Sequence, residues 1–129
     1  MPVSIVIPVL VYPDVNQAID WLCKAFGFTL RLRITNHRAQ LNVNDAAVVI
    51  TEGDCGNEHS SDSVMVRVKD LDAHYARACE HSATVLAKPA DYPYGERQYT
   101  VIDLAGHHWT FSQSIADVNP ADWGGVLLQ

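Results

Sequence analysis

The sequence predicts an α+β protein built from two βαβββ modules, their curved mixed sheets set around a cleft. Two helical segments open in the same way, 56 residues apart, and each sits within the same order of strand, helix, strand, strand, strand. A polar, turn-forming cluster, "GDCGNEHSSD", stands between the two copies. The chain therefore divides into a first module at residues 1–53, a linker at 54–62, a second module at 63–115 and a tail at 116–129.

The elements follow in chain order. "SIVIPVLVY" is apolar, breaks at Pro8 and lacks a charged leading region, so it reads as a first strand and not as a signal peptide. Asp14 with Gln17 then forms a capping-box pattern, and Val15, Ala18, Ile19, Leu22, Cys23 and Phe26 fall at helical spacing. Gly27 supplies the stop. Trp21 lies off that stripe, where a partner subunit could meet it. "FTLRLRI", "RAQLNVN" and "AAVVITE" read as three strands.

Beyond the linker, "SVMVRVK" is a strand and Asp70 opens the second helix, with Leu71, Tyr75, Ala78 and Cys79 on its stripe. Laid over the first helix without a gap, Val15 meets Leu71, Ile19 meets Tyr75, Leu22 meets Ala78 and Cys23 meets Cys79. "ATVLAK", "RQYTVID" and "HHWTFSQ" complete the second set of strands. A single four-stranded sheet would leave one face uncovered by its helix, so the second module is expected to supply an opposing sheet with a cleft between them.

Composition narrows the function. With 48% hydrophobic and 19% charged residues the chain is globular, and its net charge of -6 argues against a nucleic-acid partner, which requires a basic face. No apolar run approaches the roughly 20 residues a membrane helix requires. Cys23, Cys55 and Cys79 are odd in number and lack CxxC spacing, which fits a reducing cytoplasm better than a disulfide framework. No catalytic triad, P-loop or dinucleotide signature is present.

The doubled module and the stretch "YGERQYTVIDLAGHHWTFSQ" resemble the vicinal-oxygen-chelate superfamily, which groups glyoxalase I, fosfomycin-resistance enzymes, extradiol dioxygenases and bleomycin-resistance proteins. The resemblance runs from Ser4 to Ile115, and the ending "IADVNPADWGG" looks like a bacterial glyoxalase/bleomycin-resistance subgroup. It implies paired βαβββ modules assembled as a homodimer. It also implies where a metal would be held in the enzymes: by a His early in a module's first strand and a Glu in its last.

Seven residues before the helix-capping Asp, where the family carries its first-strand ligand, this chain has Ile7 and Ser63. Four residues after the Gly of Gly-His it has Thr110, and the first-module counterpart is Ile50. A slip of one residue would substitute Thr51 and a slip of two Glu52, but a one-residue slip reverses every side chain. Hydroxyls and isoleucines do not replace carboxylate and imidazole ligands, so neither a metal nor another cofactor is expected. The resemblance then points to the metal-free, ligand-binding branch.

His107 and His108 are adjacent and point to opposite faces of a strand, so they cannot chelate one ion together. His108 is expected on the cleft side with Thr110, and His107 in a structural role. Glu96 and Arg97 read either as a surface ion pair or with Arg97 as an anion-binding fork at the cleft mouth. Tyr92, Tyr94 and Tyr99 offer stacking surface, Trp123 anchors the tail, and His37, His59, His74 and His81 are expected to be solvated.

The expectation is a cytoplasmic homodimer whose cleft binds a small organic molecule without a metal, through Ile7, Ile50, Ser63, Tyr94, Arg97, Tyr99, His108 and Thr110. The alternative is a metal-dependent lyase, isomerase or dioxygenase with ligands displaced to Glu52, Glu96 or His108. A third reading, an interaction module, would have its cleft filled by its own side chains.

Overall fold

Matched caps start both helices. In the computed structural model, which describes residues 6–54 and 62–116, Asp14 accepts from the Gln17 amide at 3.0 Å and Asp70 from the Ala73 amide at 3.2 Å. Each carboxylate satisfies an amide that the first helical turn leaves without a partner. Helix α1 runs Val15–Phe26 and α2 Leu71–Glu80. Gly27 closes α1 at φ 77°, in the left-handed region that a side chain disfavours, and its amide donates to Cys23 O at 3.1 Å. Cys55, His59 and Trp123 lie outside the described residues.

The strands are β1 Val9–Tyr12, β2 Thr29–Ile34, β3 Arg38–Val43, β4 Ala46–Glu52, β5 Ser63–Arg67, β6 Thr84–Tyr92, β7 Glu96–Ile102 and β8 His108–Ser114. They form two four-stranded mixed sheets of equivalent order, β1-β4-β3-β2 and β5-β8-β7-β6. In each, the first strand pairs parallel with the last and the remaining pairs are antiparallel. The repeat read from the sequence is therefore a repeat of topology. β1 is shorter than the apolar run that predicts it, starting at Val9 because Pro8 has no amide to donate.

Residues paired across neighbouring strands share a face, so the register separates the two sides of each sheet. Leu10, Tyr12, Leu41, Val48 and Ile50 face the helices in the first sheet, as do Tyr99, Val101, Trp109 and Phe111 in the second. These residues and both helices form one hydrophobic cluster. Phe26 at the end of α1 reaches the second module, its ring 5.5 Å from Trp109 and 4.8 Å from Phe111. The opposite sides of the sheets, the open faces, carry Val9 and Met65, which are 54% and 62% exposed.

Further contacts tie the modules together. The Tyr12 hydroxyl donates to Asp103 Oδ2 at 2.5 Å, and His107 Nε2 lies 2.6 Å from Val11 O. Arg77 of α2 donates to Lys24 O at 2.6 Å, at the end of α1, and to Cys23 O at 3.2 Å, which also accepts from the Gly27 amide. Trp21 does not wait for a partner subunit: its indole donates to His81 O at 2.8 Å and its ring packs on Phe26. Cys79, expected on the apolar stripe, is exposed, and His74 takes the inward position instead.

Candidate functional site

Where the modules meet, a groove of about 1100 Å³ opens along the seam. The β3–β4 hairpin lines one wall with Val43 and Ala47, and β5 lines the other with Met65 and Arg67. Ser114 lies on its rim and joins it to the open face of the second sheet.

That open face is polar and internally bonded. Thr100 and Thr110 face each other across β7 and β8 with their hydroxyl oxygens 3.0 Å apart. A second row runs from the β6–β7 turn towards the groove. Tyr94 donates to Gln98 Oε1 at 3.1 Å, Gln98 Nε2 to Ser112 Oγ at 3.1 Å, and Ser112 Oγ to Glu96 Oε1 at 3.1 Å. Arg67 closes the row on the same Glu96 oxygen at 3.0 Å. Tyr92 stacks on Tyr94 with centroids 5.5 Å apart and planes 14° from parallel. Burial, with Tyr92 and Glu96 close by, pushes the Tyr94 hydroxyl pKa upward and keeps it a donor.

The expected site residues divide. Ser63, His108 and Thr110 lie on the open face of the second sheet, with Ser63 opposite His108 and Met65 opposite Thr110. Tyr94 stands at the turn that ends that face. Ile7 precedes β1, half-buried, and the groove takes its neighbours Val6 and Pro8 instead.

Three residues belong elsewhere. Ile50 is fully buried on the helix face, because β4 presents Ala47, Val49 and Thr51 to the open side. Tyr99 is fully buried against Phe111 and Tyr75, and burial raises its pKa. Arg97 points to the helix side, where Asp91 at 2.9 Å and Asp72 at 3.1 Å occupy its guanidinium. It is not an anion fork at the cleft mouth, and Glu96 is not its partner, since neighbours along a strand face opposite ways. Those two acids also raise the Arg97 pKa, Asp91 foremost.

Gln98, Ser112 and Arg67 belong to the open face and were not singled out from the sequence. Period-two alternation from Thr110 reaches Ser112, and from its partner Thr100 reaches Gln98 and Glu96. His74 is not solvated. It packs on Phe111 with centroids 4.0 Å apart, contacts the Tyr99 hydroxyl, and has Nε2 3.1 Å from Phe26 O. Burial lowers its pKa to about 4.

A family model described as the Glyoxalase/Bleomycin resistance protein/Dioxygenase superfamily matches residues 4–111. The chain belongs to that superfamily. Among solved structures it is similar to TioX from Micromonospora sp. ML1, at 34% identity and a TM-score of 0.75, over 87% of this chain and 99% of that one. The fold is shared with the fosfomycin resistance protein FosX from Mesorhizobium loti. That match has 16% identity and a TM-score of 0.70, over 88% of this chain and 93% of that one. An uncharacterized Mycobacterium bovis protein, Mb0911c, is 30% identical over 128 residues, covering 87% of this chain and 84% of that protein.

Among the described residues, the side chains of this superfamily member do not fit a metal. The paired residues on the first sheet's open face, Val9, Val11, Val49, Thr51, Gln40 and Asn42 among them, include no carboxylate or imidazole. On the second, Glu96 and His108 sit on rungs separated by six residues of β8, about 20 Å of extended chain. Glu52 is paired with His37 on the first sheet. Among the described residues no three His, Cys, Asp or Glu side chains come together.

Proposed function

We propose that this member of the superfamily binds a small organic molecule without a metal, in the groove between its modules and over the adjoining open face of the second sheet. One observation carries the reading: among the described residues the open faces and the groove bring no carboxylates and imidazoles together, since Glu96 is held by Arg67 and Ser112, His108 lies six residues of β8 away from its rung, and Asp45 is not grouped with two other such side chains. Such a surface binds by shape and hydrogen bonding, as pockets for small molecules do. Among the described residues no side chains fill the groove, which weighs against a pure interaction module. Sequestration of a toxic compound is a use that suits the fold it shares with resistance proteins such as FosX.

The protein is proposed to act in the cytoplasm as a homodimer. Free Cys23 and Cys79 suit a reducing compartment, and no helix among the described residues is long and apolar enough to cross a membrane. Val9 and Met65, exposed on edge strands β1 and β5, supply apolar surface for a second copy.

Elemental analysis and thermal shift test the metal-free reading directly. Ni²⁺, Mn²⁺ and Zn²⁺ should leave the melting temperature unchanged, because only an ion that binds the folded state would raise it. A stoichiometric metal that disappears in Glu96→Gln or His108→Ala would overturn it.

A further inference from the structure

We propose that a second cavity, between the end of α1 and the start of α2, binds a small carboxylate with a single-ring apolar body, the carboxylate being taken by Lys69 and Arg77. It is independent of whether the groove itself takes a ligand.

The cavity encloses about 320 Å³, at the small end of the roughly 300–1,000 Å³ of small-molecule sites. That space suits one ring with a short side chain. Its apolar lining comes from Phe26, Phe28, Val43, Val66 and Val68, of which the first three are buried. Packing fixes these walls: the Phe26 ring lies 5.6 Å from Phe28 and 4.8 Å from Phe111. An apolar body enters such a space without reordering it, which lowers the cost of binding.

The polar part of the lining is unequal in charge. Lys69 and Arg77 stand against one carboxylate, Asp70, which already accepts from the Ala73 amide as the cap of α2. Among the described residues no acceptor meets the Lys69 ammonium, which is exposed at the rim. Arg77 commits Nε to Lys24 O and Nη2 to Cys23 O. Its Nη1 has no acceptor among the described residues and lies beside Gly27, 3.2 Å from where a Cβ would stand, on the same lining. The guanidinium is thus anchored with one nitrogen left for an anion.

The remaining groups do not cancel this excess. Burial lowers the His74 pKa to about 4, so its ring stays neutral. The helix end is not the source of attraction either, since Leu71 donates to Gln113 Oε1 at 2.8 Å and Ala73 to Asp70 Oδ1 at 3.2 Å. In a chain of net charge -6, a lining with two cations and one acid favours a monoanion. Val43, Asn44, Val66, Val68 and Lys69 also line the groove, so the β3–β4 turn and the end of β5 form a wall common to both spaces.

The test titrates phenylacetate and its uncharged counterpart phenylacetamide into the full chain and follows amide chemical shifts. Phenylacetate is expected to shift Gly27, Phe28, Lys69 and Ala73 and to bind about tenfold more tightly than the amide. Lys69→Gln, at an exposed position, should cut that preference to about threefold by weakening phenylacetate alone, with circular dichroism unaltered. Ala73→Leu puts bulk into the cavity from a helix position that tolerates leucine, and should weaken both ligands. Equal affinity for the two, a preference undiminished in Lys69→Gln, or no shift with either ligand overturns the site. Shifts confined to Ala47 and Met65 overturn it as well, while leaving the groove as a binding site.

Discussion

Tyr12 and Asp103, 91 positions apart, are joined by a buried hydrogen bond of 2.5 Å. The carboxylate also accepts from the Trp109 indole at 2.9 Å and from the amides of Ala105 and His107 at 2.9 and 3.0 Å. The Asp-x-x-Gly-His-x-Trp run is thus a local knot around one acid, to which the first module contributes its tyrosine.

Tyr12→Phe leaves that acid with one donor fewer in a dry setting and should cost about 1–3 kcal/mol. Urea unfolding should show the midpoint moving down with an unchanged slope, the loop's own donors still holding Asp103 in place.

Stability should fall with acid below about pH 6.5. His74 titrates at about 4 when folded because burial disfavours its charged form, whereas an unfolded histidine titrates near 6.5. Between those values the unfolded chain binds the extra proton, so stability is full above about 6.5 and is lost as pH drops towards 4. The loss is on the order of 2 kcal/mol after allowance for a ring that is partly exposed. In His74→Gln, which does not titrate, melting temperature against pH should be flatter across this window.

Gly27→Ala places a Cβ 3.2 Å from Arg77 Nη1 at a backbone φ of +77°, a conformation that costs alanine about 1 kcal/mol. Arg77→Met forfeits the bonds to Lys24 O and Cys23 O and should cost about 1 kcal/mol as well. The double variant should be less destabilised than the two losses added together, because the crowding disappears with the guanidinium. Strict additivity would show that Cβ and guanidinium never meet.

If two copies pair through β1 and β5, Met65→Glu should halve the mass seen by light scattering while the far-ultraviolet spectrum stays the same. A wild-type protein already at the single-chain mass would remove the homodimer from the proposal.

The periodicities made most of the fold legible. Asp14 and Asp70 cap where the capping pattern places them, and the doubled strand order holds in both sheets. Facing was harder. Thr110 lies on the open side, but counting from a motif placed Ile50 on the wrong face because β4 is apolar on both sides, and an uninterrupted "AAVVI" carries no alternation to fix its phase. Arg97 and Tyr99 look functional by residue type, yet their burial and pairing depend on α2 and β6, which no local pattern reveals. The row from Tyr94 to Arg67 draws on three strands and becomes visible only once their register is known.

Arg77 seals the end of α1, Trp21 holds the end of α2, and Phe26 inserts beside Trp109. Each half of the duplication has thereby given up its independence. Residues 1–54 made alone would expose Phe26 and Phe28 and aggregate, whereas a single protease cut within 55–61 would leave two fragments that stay associated and melt as one.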